Sequence, residues 1–202
     1  MEENRAFEQM RMAAQAPLQE RDPAQLAAMA GGDWDPDRGL LTVQTLGQAV
    51  SVAVPDYYVT PELEPWHTLI LLHYLANADG TPPAGRLMTF GAMRDGLIRG
   101  TKYDAASEKQ LSDFLGHLTP ERLRAACRAL AGRELPEKCD LCVTFPLFPR
   151  FPVTMKVWFA DEEFPASGKL FVDQSADHYL SVEDAVTVGD LLIERLKREL
   201  QK

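Results

Sequence analysis

The hydrophobic positions of the chain change period near residue 39. Before residue 32 they recur at helical spacing, and the breaks at Pro17 and at Gly31-Gly32 predict two short helices. From residue 39 to 54, apolar and polar residues alternate on both sides of Leu46-Gly47. That alternation predicts a β-hairpin with one buried face.

Helical spacing returns in the middle of the chain. The prolines at 60–61 and 64–65 mark alternative starts of a helix that ends near Asn77. Residues 87–90 are extended in this interpretation, and a helical turn follows. The capping-box pattern of residues 107–110 predicts the start of another helix, and Thr119 with the proline after it predicts the start of the next.

The last third of the chain predicts three strands and a long final helix. Apolar residues alternate over residues 141–145, 153–159 and 170–172, with prolines between the first two runs. Ser181 with Asp184 three residues later is a helix N-cap signal. Trp158 lies on the face opposite its two neighbours, so we expect it to pack against Phe171 of the next strand.

These elements predict an α+β fold with an antiparallel or mixed sheet of about five strands, packed by helices, and a long C-terminal helix. A chain of 202 residues can bury its own core. We expect a single domain over residues 1–202, with a loosely packed helical segment at 1–32 and the core at 39–202.

The charge narrows the class of partners. The formal net charge is −9, which disfavours nucleic acid and anionic membrane surfaces. Apolar runs such as residues 68–72 are far too short to span a bilayer, and the acidic start lacks a secretory pattern. Three cysteines do not suggest a disulfide framework, so we expect a cytoplasmic protein.

A set of motifs in the last third resembles one family. The motifs are an arginine between prolines, a strand with a tryptophan, an acidic turn followed by Phe-Pro, a Leu-Phe strand with an aspartate, and a His-Tyr-Leu segment before two acids. They lie at residues 148–152, 158, 161–167, 170–173, 178–180 and 183–184. This pattern is similar to the DUF3786 family, a group of unknown function in anaerobic bacteria and archaea. The likeness is specific over residues 146–196 and weaker over 39–132.

The resemblance implies a fold and a setting, and it implies no mechanism or cofactor. Some members resemble companions of iron–sulfur cluster domains of the corrinoid-protein type. This chain lacks the closely spaced cysteines of a four-iron cluster, so such a link would run through a protein partner. We therefore expect an accessory protein that works through a protein partner or a small ligand, and an enzyme is the alternative.

An acidic run is the first candidate site for the enzyme. Asp161, Glu162 and Glu163 are adjacent, and Asp173 and His178 follow. Together they could form a divalent-metal site or a carboxylate pair for acid–base catalysis. The alternative is a solvated turn between two strands.

The three cysteines form a second candidate. Cys139 and Cys142 are a C-x-x-C pair that, with Cys127 and one histidine, could complete a Cys₃His zinc site. Alternatively, Cys127 is a small hydrophobic residue on a buried helix face. A redox pair of the thioredoxin type needs a helix N-terminus, whereas Cys142 lies in a predicted strand.

A basic, glycine-bearing stretch is the third candidate, for a small anion. It contains no nucleotide-binding motif, and a turn-rich surface is the alternative. Its residues are Arg86, Arg94, Arg99 and Lys102, with Gly91, Gly96 and Gly100.

Overall fold

The computed structural model describes residues 2–202, and the side chains of residues 5–202. Its helices are α1 (Glu2–Gln19), α2 (Pro23–Ala30), α3 (Pro65–Asn77), α4 (Gly96–Leu115), α5 (Pro120–Ala129) and α6 (Val182–Leu200). Its strands are β1 (Asp33–Asp35), β2 (Leu40–Thr45), β3 (Gln48–Ala53), β4 (Tyr58–Thr60), β5 (Leu87–Met88), β6 (Arg133–Glu134), β7 (Leu141–Phe148), β8 (Phe151–Trp158) and β9 (Ser167–Asp173). Short 3₁₀ turns lie at Phe90–Ala92 and Ala176–His178.

The first sheet is the antiparallel meander β1-β2-β3-β4. The predicted hairpin is confirmed as β2 and β3, with Val43 opposite Val50 on the buried face. Leu46 and Gly47 both have positive φ, as a two-residue hairpin turn requires. The Leu46 N–H donates to the carbonyl of Pro146 at 3.0 Å, which ties this turn to β7.

The second sheet is antiparallel, in the order β5-β9-β8-β7-β6. The three strands predicted in the last third are confirmed, and Val153, Met155 and Val157 of β8 are fully buried on one face. On that face α4 packs so closely that the side chain of Leu111 lies directly over Gly168. The α+β class and the long C-terminal helix are confirmed. The strands divide between two sheets because β1–β4 complete a local meander before α3 begins.

Two prolines lie within paired strands rather than between them. Pro146 of β7 is opposite Pro152 of β8, and the connection is reduced to residues 149–150. A proline lacks the N–H that a central strand needs. At Pro146 this loss is tolerated because β6 pairs with β7 only at Val143 and Thr144, so no strand of this sheet needs an N–H from Pro146 on its other edge.

The prediction that Pro17 ends the first helix is wrong, since α1 continues to Gln19. A proline in the last turn forfeits a single intrahelical bond, and the helix ends two residues later. Leu18 is completely buried, and Leu26 of α2 is as well. Both α1 and α2 therefore contribute side chains to the core.

The prediction of a helix start at residues 107–110 is also wrong. The helix α4 begins at Gly96, and the hydroxyl of Ser107 donates to the carbonyl of Asp104 inside it. The helix can begin earlier because Gly96 and Gly100 have no side chain, which lets the backbone of Phe90 lie against them.

The other helix starts agree with the sequence. Of the alternatives, Pro65 begins α3. Thr119 accepts from the N–H of Arg122 at the start of α5, and Ser181 accepts from the N–H of Asp184 at the start of α6. None of the helices within residues 2–202 combines the length and apolarity needed to cross a membrane.

Candidate functional site

The face of the second sheet that points away from α4 carries an open groove of about 510 Å³. Its floor comes from the middle of β7 and β8, where Thr144 lies directly opposite Thr154 and Pro146 opposite Pro152. We refer to it as the sheet groove. One wall is the segment 83–87 that leads into β5, and the other is the segment 131–137 around β6.

Asp173 fixes the first wall of the sheet groove. Its carboxylate accepts hydrogen bonds from the backbone N–H groups of Ala84 at 2.7 Å and Gly85 at 2.8 Å, and from both donors of Ser175. Burial alone would raise the pKa of Asp173, but the bonds from Ser175, Ala84 and Gly85 outweigh it and lower the pKa. The carboxylate therefore holds the wall in place, and its oxygens are occupied.

The second wall of the sheet groove carries an exposed positive charge without an ion-pair partner among the described residues. Arg133 is exposed, lies opposite Thr144, and makes no ion pair with any residue in the described part of the chain. The other charged side chain of this wall, Glu137, is paired with Lys156 at 3.1 Å. The sheet groove thus combines an apolar floor, two hydroxyls and one unpaired guanidinium, which suits a molecule with an apolar body and an anionic group.

A second, polar cleft of about 690 Å³ lies around His178 at the start of α6. The Nδ1 atom of His178 is 2.7 Å from the Asp79 carboxylate, which also accepts the N–H of Thr81 at 2.9 Å. The Thr81 hydrogen bond is the main reason that the pKa of Asp79 falls to about 2, and the contact with His178 adds to it. With Nδ1 held by a carboxylate, Nε2 is the nitrogen left for a ligand or a proton. Arg94 and Glu183 also line this cleft.

The structure does not bring the predicted acidic run to His178. The Asp161 carboxylate accepts the N–H groups of Phe164 at 2.7 Å and Glu163 at 2.9 Å, which lower its pKa in that order. Glu162 and Glu163 are exposed. This turn precedes β9, and His178 follows it, so about 20 Å of strand separates them.

The three cysteines do not form a metal site with other residues in the described part of the chain. Cys127 is buried in α5, where burial raises its pKa to about 12. Cys142 is buried in β7, and Cys139 is half-buried in the turn before it. Within the described residues, no three histidine, cysteine, aspartate or glutamate side chains are arranged to hold a metal ion. Neither the Cys₃His set nor the acidic set is assembled in this structure.

The glycines of the basic stretch serve packing. A side chain at Gly96 or Gly100 would collide with the carbonyl of Phe90, so these glycines are needed for contact within the protein. Arg99 pairs with Glu183 at 3.0 Å.

Trp158 lies on the predicted face and is half-buried, but the predicted packing against Phe171 is wrong. The register places Trp158 opposite Ser167 and Phe171 opposite Thr154, four residues apart along β8. The ammonium of Lys156, between these positions, is 5.7 Å from the Phe171 ring centre. Sequence alternation predicts the face of a residue but not its partner on the next strand.

The sequence analysis does not predict several residues of the two sites. Thr144 and Thr154 could have been found, because each alternates with buried residues in a predicted strand and so belongs to the opposite face. Arg133 and Asp79 gave no local signal.

One known family matches the part of the chain that contains both sites. The family model described as a domain of unknown function (DUF3786) matches residues 22–195. The chain belongs to the DUF3786 family. Neither a curated protein nor a solved structure matches it. The DUF3786 region contains all nine strands, and with them the sheet groove and the cleft around His178.

Arg150 and Asp173, two of the residues on which the family resemblance was based, have structural roles. The Arg150 N–H donates to the Tyr74 hydroxyl at 3.2 Å, and its guanidinium donates to the carbonyl of Ala28 at 3.3 Å. These contacts tie Arg150 to α2 and α3, and the hydrogen bonds of Asp173 tie the end of β9 to the segment before β5.

Proposed function

We propose that this protein is a cytoplasmic accessory protein that binds a small organic anion in the sheet groove. The observation that carries the proposal is the open groove with Arg133 unpaired at its rim. Its volume is within the range of pockets that take small molecules, roughly 300–1,000 Å³. The family resemblance suggests the setting, which is iron–sulfur or corrinoid-linked metabolism of an anaerobe.

The groove lining favours binding over catalysis. It contains no histidine, cysteine or lysine. Its two acids are Asp173, which is fully hydrogen bonded, and Glu137, which is paired with Lys156. A nucleophile with an adjacent base is the usual requirement of covalent catalysis, and this lining does not supply one. An accessory role then implies a protein partner that delivers or receives the bound molecule.

A thermal-shift screen tests this proposal. The panel pairs aliphatic carboxylates, aromatic carboxylates and phosphate monoesters with uncharged amides or alcohols of the same size. A ligand at 100 times its Kd stabilises the folded state by about 2.7 kcal/mol. We expect stabilisation by some anions and not by their neutral analogues, and we expect Arg133→Ala to remove it.

Arg38→Ala is the matched control, because Arg38 is an exposed arginine in the turn before β2, outside the groove. Equal stabilisation of wild type, Arg133→Ala and Arg38→Ala would refute the proposal, as would a panel without any hit.

An enzyme with His178 as a general base is the second candidate. The Asp79–His178 contact in a polar cleft favours it, because a carboxylate on Nδ1 leaves Nε2 able to take a proton. A substrate screen would then find an activity that His178→Gln and Asp79→Asn abolish and that His117→Gln, a change at an exposed histidine, leaves intact.

The carboxylate site at Asp161, Glu162 and Glu163 makes a different prediction for the same screen. An activity carried there, alone or with a metal, would be lost in Glu162→Gln/Glu163→Gln or with a chelator. It would survive Asp79→Asn, since Asp79 lies at the other end of β9. An activity that is indifferent to all of these changes would exclude both enzyme sites.

A further inference from the structure

We propose that Cys139 and Cys142 form a reversible thiol–disulfide site that exchanges with low-molecular-weight disulfides. The inference concerns a pair of side chains outside the lining of the sheet groove and of the cleft around His178. It does not depend on what either of them binds.

The two residues are three apart in the sequence, and a bend of the backbone lies between them. Residues 138–140 form a continuous bend directly before β7. The Cys139 N–H donates to the carbonyl of Glu137 at 2.9 Å, and the Asp140 N–H donates to the carbonyl of Val157 at 3.1 Å. The bend is therefore anchored onto β8, and Cys139 is held beside the first residues of β7.

The pKa of Cys142 reflects its surroundings. Burial is the main reason that the pKa of Cys142 rises to about 11, and the Cys139 thiol adds to the rise through both its charge and a side-chain contact. A disulfide needs Cα atoms about 4.4–6.8 Å apart, a span that residues three apart in a bend can reach.

The two cysteines differ in exposure, which gives each a separate step. Cys139 is half-buried and reachable, whereas Cys142 is 3% exposed. A disulfide from solution meets Cys139 first. Lys156 lies opposite Cys142 in the sheet, and its ammonium offsets part of the rise in the Cys142 pKa.

The exchange is balanced without any further reactant. The Cys139 thiolate attacks one sulfur of the external disulfide, breaks its S–S bond, and releases one external thiol as it forms a mixed disulfide. Cys142 then loses its proton to solvent and attacks the Cys139 sulfur, which releases the second external thiol. The protein gives up two electrons and two protons, and the external disulfide takes them as two thiols.

Cys127 is the internal control. Cys127 lies in α5 and is only 2% exposed, and burial raises its pKa to about 12. We therefore expect Cys127 to stay reduced in the folded protein. A Cys127→Ser variant tests whether it takes part.

Mass spectrometry after equilibration with mixtures of oxidised and reduced glutathione tests the site. The folded protein is quenched with acid, alkylated and digested. We expect the peptide that carries Cys139 and Cys142 to lose the mass of two hydrogen atoms and to escape alkylation, and we expect dithiothreitol to reverse this. Cys127→Ser should behave as wild type.

The single variants distinguish a disulfide from adventitious oxidation. Cys142→Ser should accumulate a glutathione adduct on Cys139 that persists, because no second thiol resolves it, and Cys139→Ser should stay reduced. The proposal is overturned if wild type accumulates the same stable adduct as Cys142→Ser. It is equally overturned if wild type stays fully alkylated at every glutathione ratio. Circular dichroism of each sample confirms that the protein remains folded during the exchange.

Discussion

The carboxylate of Asp173 accepts the backbone N–H of Gly85 at 2.8 Å, across 88 residues of sequence. Together with the bonds from Ala84 and Ser175, this contact joins the end of β9 to the segment that enters β5. The side chain is only 4% exposed. A buried carboxylate with all its partners provided stabilises the fold and positions one wall of the sheet groove.

Asp173→Asn should therefore be strongly destabilising. The amide would place an NH₂ group against backbone donors and would remove charge-assisted hydrogen bonds, so we expect a loss of about 3 kcal/mol in the free energy of unfolding. Urea denaturation measures it. Asp37→Asn, at an exposed turn residue, should change the value by less than about 0.5 kcal/mol.

The same carboxylate should make the stability of the protein depend on pH in the acid range. Because the folded pKa of Asp173 lies below its unfolded value, its contribution is complete above about pH 4 and is lost as pH falls through the folded pKa. Acid unfolding of wild type should therefore be steeper than that of Asp173→Asn. Parallel acid-unfolding curves for the two proteins would contradict this assignment.

His67 should make the stability of the protein depend on pH in a range above that of Asp173. Its Nε2 atom is 2.8 Å from the Thr45 hydroxyl, and its Nδ1 atom is buried without a partner. Burial lowers the pKa of His67 to about 4, and Arg195 adds to the effect. The unfolded chain takes up a proton near pH 6.5 while the folded protein does not, so stability is lost as pH falls from about 6.5 to about 4.

We expect this residue to account for about 2 kcal/mol of lost stability by pH 5. His67→Gln should flatten the curve of unfolding free energy between pH 7.5 and pH 5 relative to wild type. An NMR titration of the His67 ring with a midpoint near 6.5 would show that the assignment is wrong.

Gly100 tests the close packing at the start of α4. A methyl group there would overlap the carbonyl of Phe90, whereas at Gly116, at the end of the same helix, the nearest atom would be the Ser112 carbonyl oxygen at 3.8 Å. Gly100→Ala should destabilise by about 1–3 kcal/mol, as overpacking does. Gly116→Ala should be near neutral, and equal effects of the two changes would remove the packing argument.

The sequence predicts most elements of this fold because they depend on local chemistry. The hairpin around Leu46-Gly47 follows from alternation and a turn residue, and Ser181 caps α6 through a neighbour three residues away. Gly96 explains why the predicted start of α4, at residues 107–110, is wrong. Its role depends on Phe90 approaching from outside the helix, a contact that the helical pattern does not encode.

The candidate sites were harder to predict because their residues come from distant segments. Asp79 and His178 are 99 residues apart, and neither has a local pattern that names the other. Thr144 and Thr154 meet only because β7 and β8 pair in one register. Strand alternation could place each threonine on the open face, but the order of strands, which decides the walls of the groove, was not derivable.

The most direct test of the account is an NMR titration of the isotope-labelled protein with the strongest anion from the thermal-shift panel, followed residue by residue. We predict that the largest chemical-shift changes fall on Leu87, Arg133, Thr144 and Thr154, and that Arg133→Ala abolishes them while Arg38→Ala does not. Changes that instead cluster around Asp79 and His178, or that persist in Arg133→Ala, would contradict the assignment of the sheet groove as the binding site.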